Sequence, residues 1–118
     1  MRSEVVVRTF SSTVALALIA LALGTQSAFS ADNAYTVTIK GHRFEPSQVE
    51  VPAGKKLRLL VKNLDPTPEE FESHDLKREK VIAGNGHATI TIGPLKPGTY
   101  RFVGEYHEST AQGQIVAK

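Results

Sequence analysis

Cysteine is absent from all 118 residues, so the chain forms no disulfide and offers no thiolate nucleophile or thiolate metal ligand. The only methionine is Met1, so a chain trimmed at its N-terminus has no thioether ligand either. No charge excess is present: the net charge is +2, and residues 31–118 carry +1, with 12 basic and 11 acidic side chains. That balance excludes a nucleic-acid or anionic-membrane binder working by bulk charge. No apolar run is long enough to span a bilayer. The longest, Val14 to Leu23, has ten residues where a spanning helix needs about 20. Catalytic templates are missing too: there is no Gly-x-Ser-x-Gly elbow, no phosphate-cradling glycine loop and no His-Glu-x-x-His. What remains is an ordinary globular composition, 41 % hydrophobic and 22 % charged, of one-domain length.

The N-terminus reads as an address. Arg2 and Arg8 flank Glu4, the ten-residue apolar run follows, and Ala28-Phe29-Ser30 places small residues for cleavage before Ala31. This pattern predicts a signal peptide over 1–30 and a mature domain over 31–118, exported to the periplasm of a bacterium, with no membrane insertion of the mature chain. With no cysteine after the apolar run, a lipoprotein anchor is excluded.

The remainder reads as short strands. Tyr35–Ile39 and Ala88–Ile92 alternate apolar residues with threonine, and Val49–Val51, Leu57–Val61, Val81–Ile82, Tyr100–Val103 and Gln114–Ala117 add apolar or alternating runs. Around Phe71, alternation predicts the ring inward and Glu70 and Glu72 outward. Turn signals separate the runs: Pro52-Ala53-Gly54, Asp65-Pro66, Pro97-Gly98, and Gly84-Asn85-Gly86, the last read as a hairpin turn. Ser73–Lys80 fits either a single helical turn or strand and loop. Tyr100, entering a strand after Pro97-Gly98, matches a tyrosine corner. Together these predict an all-β, Greek-key β-sandwich of seven to eight strands.

Phe44-Glu45-Pro46, Val49 to Gly54, the strand ending Lys62-Asn63, Pro97 to Phe102 and Gly113 to Val116 resemble, in order and spacing, a cupredoxin. The resemblance implies a cupredoxin-like sandwich over most of 34–118. Blue-copper cupredoxins bind copper through two His, a Cys and usually a Met. Here the position of the first His holds Glu69, that of the Cys holds Gly104, that of the Met falls at Ala111 or Gln112, and only His107 fits. Blue-copper electron transfer is therefore excluded. Pro66 to Ser73, Leu76 to Ile82 and Glu105 to Ala111 resemble the EfeO-type and FtrB cupredoxin domains that accompany bacterial ferrous-iron permeases. That likeness implies iron binding, oxidation or delivery, with an iron or copper ion bound, and a membrane iron permease and a periplasmic iron-binding protein as partners.

The residues themselves offer two clusters, Glu69, Glu70 and Glu72, with His74 and Asp75 beyond, and Glu105, His107 and Glu108. On a strand, Glu70 and Glu72 lie on one face about 6.5–7 Å apart. Cupredoxin topology would bring both clusters, and His42, to one end. The candidate metal ligands are thus Glu69, Glu70, Glu72, Glu105, His107 and His42. Carboxylate and imidazole suit iron, manganese, zinc or Cu(II), and suit Cu(I) poorly. The same glutamates also fit a solvated strand face, and the run Lys77 to Lys80 a solvated basic face. Two alternatives stand beside iron handling: a metal-free protein–protein docking module, and a periplasmic Cu(II)-binding protein. No enzymatic turnover is expected from a lone iron site without an electron acceptor; ferroxidase chemistry would need copper or a second metal.

Overall fold

The computed structural model describes residues 33–118, together with Ser3; the expected signal sequence lies otherwise outside the described residues. Nine strands form two sheets, and no α-helix occurs among the described residues. The strands are β1 (Ala34–Lys40), β2 (Arg43–Glu45), β3 (Gln48–Val51), β4 (Leu57–Asn63), β5 (Glu69–Ser73), β6 (Arg78–Ile82), β7 (His87–Ile92), β8 (Gly98–Gly104) and β9 (Gln112–Ala117). One sheet has the order β2-β1-β4-β7 and the other β3-β9-β8-β5-β6. Two pairings are parallel, β1 with β4 and β3 with β9, because β3 crosses to the second sheet before the chain returns as β4. The strand count exceeds the expected seven or eight because β2 is a separate three-residue edge strand, too short to show a period, with Phe44 alone turned inward.

Alternation builds the core. Val37, Ile39, Leu57, Leu59, Val61, Ile90 and Ile92 face inward from the first sheet, and Phe71, Ile82, Phe102 and Ile115 from the second, all almost fully buried. Phe44, Phe71 and Phe102 pack together, with Phe44 edge-on to Phe102 at 4.8 Å between ring centres.

The segment 73–80 resolves as the β5–β6 hairpin, with Lys77 in the left-handed region at its turn (φ 56°). Gly84-Asn85-Gly86 departs from expectation. It joins β6 of one sheet to β7 of the other, so it is a crossing between layers rather than a hairpin turn. Gly84 is needed there because a Cβ would lie 2.1 Å from the Pro66 carbonyl oxygen. Past β7 the chain returns as β8 beside β5, the crossing expected of a Greek-key sandwich. Tyr100 behaves as a tyrosine corner: its hydroxyl donates to the Lys96 carbonyl at 2.8 Å.

Candidate metal centre

Period-two geometry splits the glutamates of β5. Phe71 points into the core, so Glu69 and Ser73 do as well, while Glu70 and Glu72 point outward and remain half-buried. Glu69 is 1 % exposed, an ionisable group inside the sandwich. Its Oε1 accepts the backbone N–H groups of Glu70 at 3.0 Å and Tyr106 at 2.9 Å. Its Oε2 sits 2.5 Å from His107 Nδ1. The carboxylate thus joins the start of β5 to the 3-10 turn Glu105–His107 that follows β8.

Gly104 makes room for this arrangement. A Cβ there would stand 2.7 Å from the Glu69 carboxyl carbon and 2.7 Å from the Ala111 Cβ. The His107 ring stacks on His42, with centres 3.5 Å apart and planes 10° from parallel. His42 has a left-handed backbone (φ 56°), held by Asp65, whose two carboxylate oxygens accept the N–H groups of Gly41 at 2.8 Å and His42 at 2.9 Å. The His42 N–H holds the Asp65 carboxyl below its ordinary range, and Gly41 and the charges of His42 and His107 act in the same direction against partial burial. Asp65 is itself placed by buried Asn63, whose Oδ1 accepts the Asp65 N–H at 3.0 Å and whose Nδ2 donates to the Thr67 carbonyl at 2.8 Å. Asp65→Ala should cost about 1 kcal/mol, the net worth of hydrogen bonds lost at a partly exposed turn. Because the folded pKa is depressed, the stabilisation is present above the unfolded value and lost as pH falls through the folded one. Thermal melts of wild type and variant, converging in acid, would check it.

On the outer face a second group forms. Glu72 lies opposite Glu79 in the β5–β6 register, and Glu70 opposite Val81. Glu105, just past the end of β8, reaches the same face. Oxygen atoms of Glu70, Glu79 and Glu105 all lie within 4.8 Å of one another. A hydrogen bond shared with Glu79 pushes the Glu70 carboxyl up to about 7, with desolvation and Glu105 adding to the rise. Glu72 is also raised, by desolvation first and then by Glu105, against the attraction of His74, whose Nε2 is 3.5 Å from its carboxylate.

The six expected ligands therefore fall into two places. Glu70 and Glu105 come together with Glu79, and Glu72 borders them. Glu69 and His107 bond to each other, with His42 stacked on the imidazole. Glu79 escaped the sequence reading because it stands in the run Lys77 to Lys80. The signal was the hairpin itself: a turn centred on 75–76 puts position 79 opposite 72. His87 is exposed on β7.

The chain is similar to several known proteins. It is 51 % identical over 80 residues to Uncharacterized protein RP394 of Rickettsia prowazekii (strain Madrid E), covering 68 % of this chain and 64 % of that protein's length. The fold is similar to auracyanin A, a "blue" copper protein of Chloroflexus aurantiacus, with a TM-score of 0.62, 16 % identity, and 72 % of this chain and 98 % of that one covered. It is also similar to amicyanin of Paracoccus versutus, with a TM-score of 0.59, 17 % identity, and 78 % and 87 % covered. At such identities the structures speak for the fold alone. The blue-copper ligand set does not fit this chain. No cysteine exists, Gly104 has no side chain and its Cβ space is filled by Glu69, and His107 Nδ1 is taken by that carboxylate. The family model of the Cupredoxin-like domain matches residues 13–117, and the chain belongs to that family.

Proposed function

We propose that this cupredoxin-like domain is an exported metal-binding protein that holds a hard transition cation, iron, on the outer carboxylate group and delivers it to a ferrous-iron uptake permease. The observation that carries the reading is the convergence of Glu70, Glu79 and Glu105 from three chain segments, with oxygens within 4.8 Å. Carboxylates held that close repel one another and take up either a proton or a cation. An all-oxygen set suits hard cations generally, Mg(II), Ca(II) and Mn(II) as well as iron, so the ligand type does not itself select iron. The choice of iron, the export and the permease and periplasmic iron-binding partners come from the resemblance of Pro66 to Ile82 and Glu105 to Ala111 to the EfeO-type and FtrB domains. Binding and delivery are favoured over oxidation, because oxidising Fe(II) needs an electron acceptor and the carboxylates supply none.

A docking module is the second reading. Val81, 51 % exposed, lies beside Glu70 on the same face, and Tyr106, 49 % exposed, adjoins Glu105. Anaerobic melting with Fe(II), and separately with Mn(II), distinguishes the two. A ligand that binds only the native state raises its stability. A saturable rise in Tm supports cation binding, and unchanged melting favours docking.

A further inference from the structure

We propose that the Glu69–His107 pair is a built-in substitute for a metal ion, organising this end of the sandwich without a cation. Glu69 does by hydrogen bonds what a bound ion does by coordination: it ties several segments together, accepting from donors where a cation would take lone pairs. Its two oxygens engage the β5 backbone at Glu70, the turn backbone at Tyr106 and the imidazole of His107. Three of the roughly four lone-pair positions of a carboxylate are then used, and the group is 1 % exposed. A cation entering here would have to break the bond to His107 and find room beside Gly104, where even a Cβ meets the Glu69 carboxyl carbon at 2.7 Å. The imidazole is fixed on its other side as well, by the stack on His42.

The pairing also assigns the tautomer. With the Glu69 carboxylate accepting at both oxygens, Nδ1 of His107 is the donor of the pair and Nε2 stays outside it. Glu69 and His107 are thus partners of each other, and this inference stands whether or not the outer carboxylates hold a cation.

Long-range 15N–1H NMR of the His107 ring in the purified protein tests it. The expected spectrum has a protonated Nδ1, unchanged by EDTA and by one equivalent of Zn(II). In Glu69→Gln the amide Nε2 is a donor, so the ring is expected to invert, with Nε2 protonated and Nδ1 accepting. A purely space-filling role for Glu69 would leave the tautomer unmoved. Glu69→Leu, of similar bulk, should melt at least about 10 °C below wild type, since it strips three hydrogen bonds at a buried site. If the leucine variant does not fold, the glutamine variant still decides. Zn(II) displacing the Nδ1 proton, or a wild-type ring already carrying its proton on Nε2, would overturn the proposal.

Discussion

Gly104→Ala is expected to lower Tm by about 10–20 °C, the shift corresponding to about 2–3 kcal/mol of overpacking in a domain of this size. The added methyl would stand 2.7 Å from two atoms that cannot yield cheaply. One is the Ala111 Cβ, on a backbone whose carbonyl accepts the Gly104 N–H at 2.9 Å. The other is the Glu69 carboxyl carbon, held through both oxygens. Neither is the free end of a flexible side chain, so the strain passes into the Glu105–His107 turn. The left-handed region plays no part, since Gly104 has φ −88°. The check is a melt of the variant beside Gly113→Ala. That second Cβ would meet the Phe102 ring at 2.5 Å, away from Glu69, so both variants should melt low. Only Gly104→Ala should also disturb the His107 ring signals.

Cation affinity at the outer group is expected to fall about 25-fold between pH 7.5 and pH 5.5, the consequence of one competing proton on a group titrating near 7. The charged groups acting on Glu70 are acidic: Glu79 across the hairpin and Glu105 beyond β8, with Glu72 bordering them. Glu70 therefore binds its proton more tightly folded than unfolded. Without a cation the native state holds more protons between about pH 4.5 and 7, so stability should decline as pH rises through that window. A bound cation removes the repulsion, and Mn(II) should restore the Tm lost at pH 7.5. Melts across that range, with and without Mn(II), read both effects. A Tm that rises with pH in the metal-free protein would contradict this electrostatic picture.

Alternation carried much of the fold. Tyr35–Ile39, Leu57–Val61 and Ala88–Ile92 became β1, β4 and β7 because residues two apart must share a face, and one face of each is apolar. The same rule already placed Glu69 on the Phe71 side of β5. Its charge masked that reading, since a buried carboxylate is plausible only with partners, and these come from 37 and 38 residues away. Long-range partners of this kind leave no local trace. Gly84-Asn85-Gly86 shows the same limit: the tripeptide specifies a tight turn, whereas the sheet that receives the next strand is decided by packing of β7 on β4. Asn63 was visible only as the end of a strand. Its role as the fastener of Asp65, and through Asp65 of His42, appears once the loops meet. Glu79 was legible in principle from hairpin symmetry, and its basic neighbours concealed it.

The central claim is that Glu70, Glu79 and Glu105 together hold a cation. Calorimetric titration of Mn(II) into the metal-free protein at pH 7.5, beside the Glu79→Gln variant, tests it most directly. The account predicts one saturable site in wild type, weakened about ten- to hundredfold in the variant, as loss of one charged ligand tunes oxygen-ligand sites. Wild type that takes up no Mn(II), or a variant that binds as tightly as wild type, would contradict it.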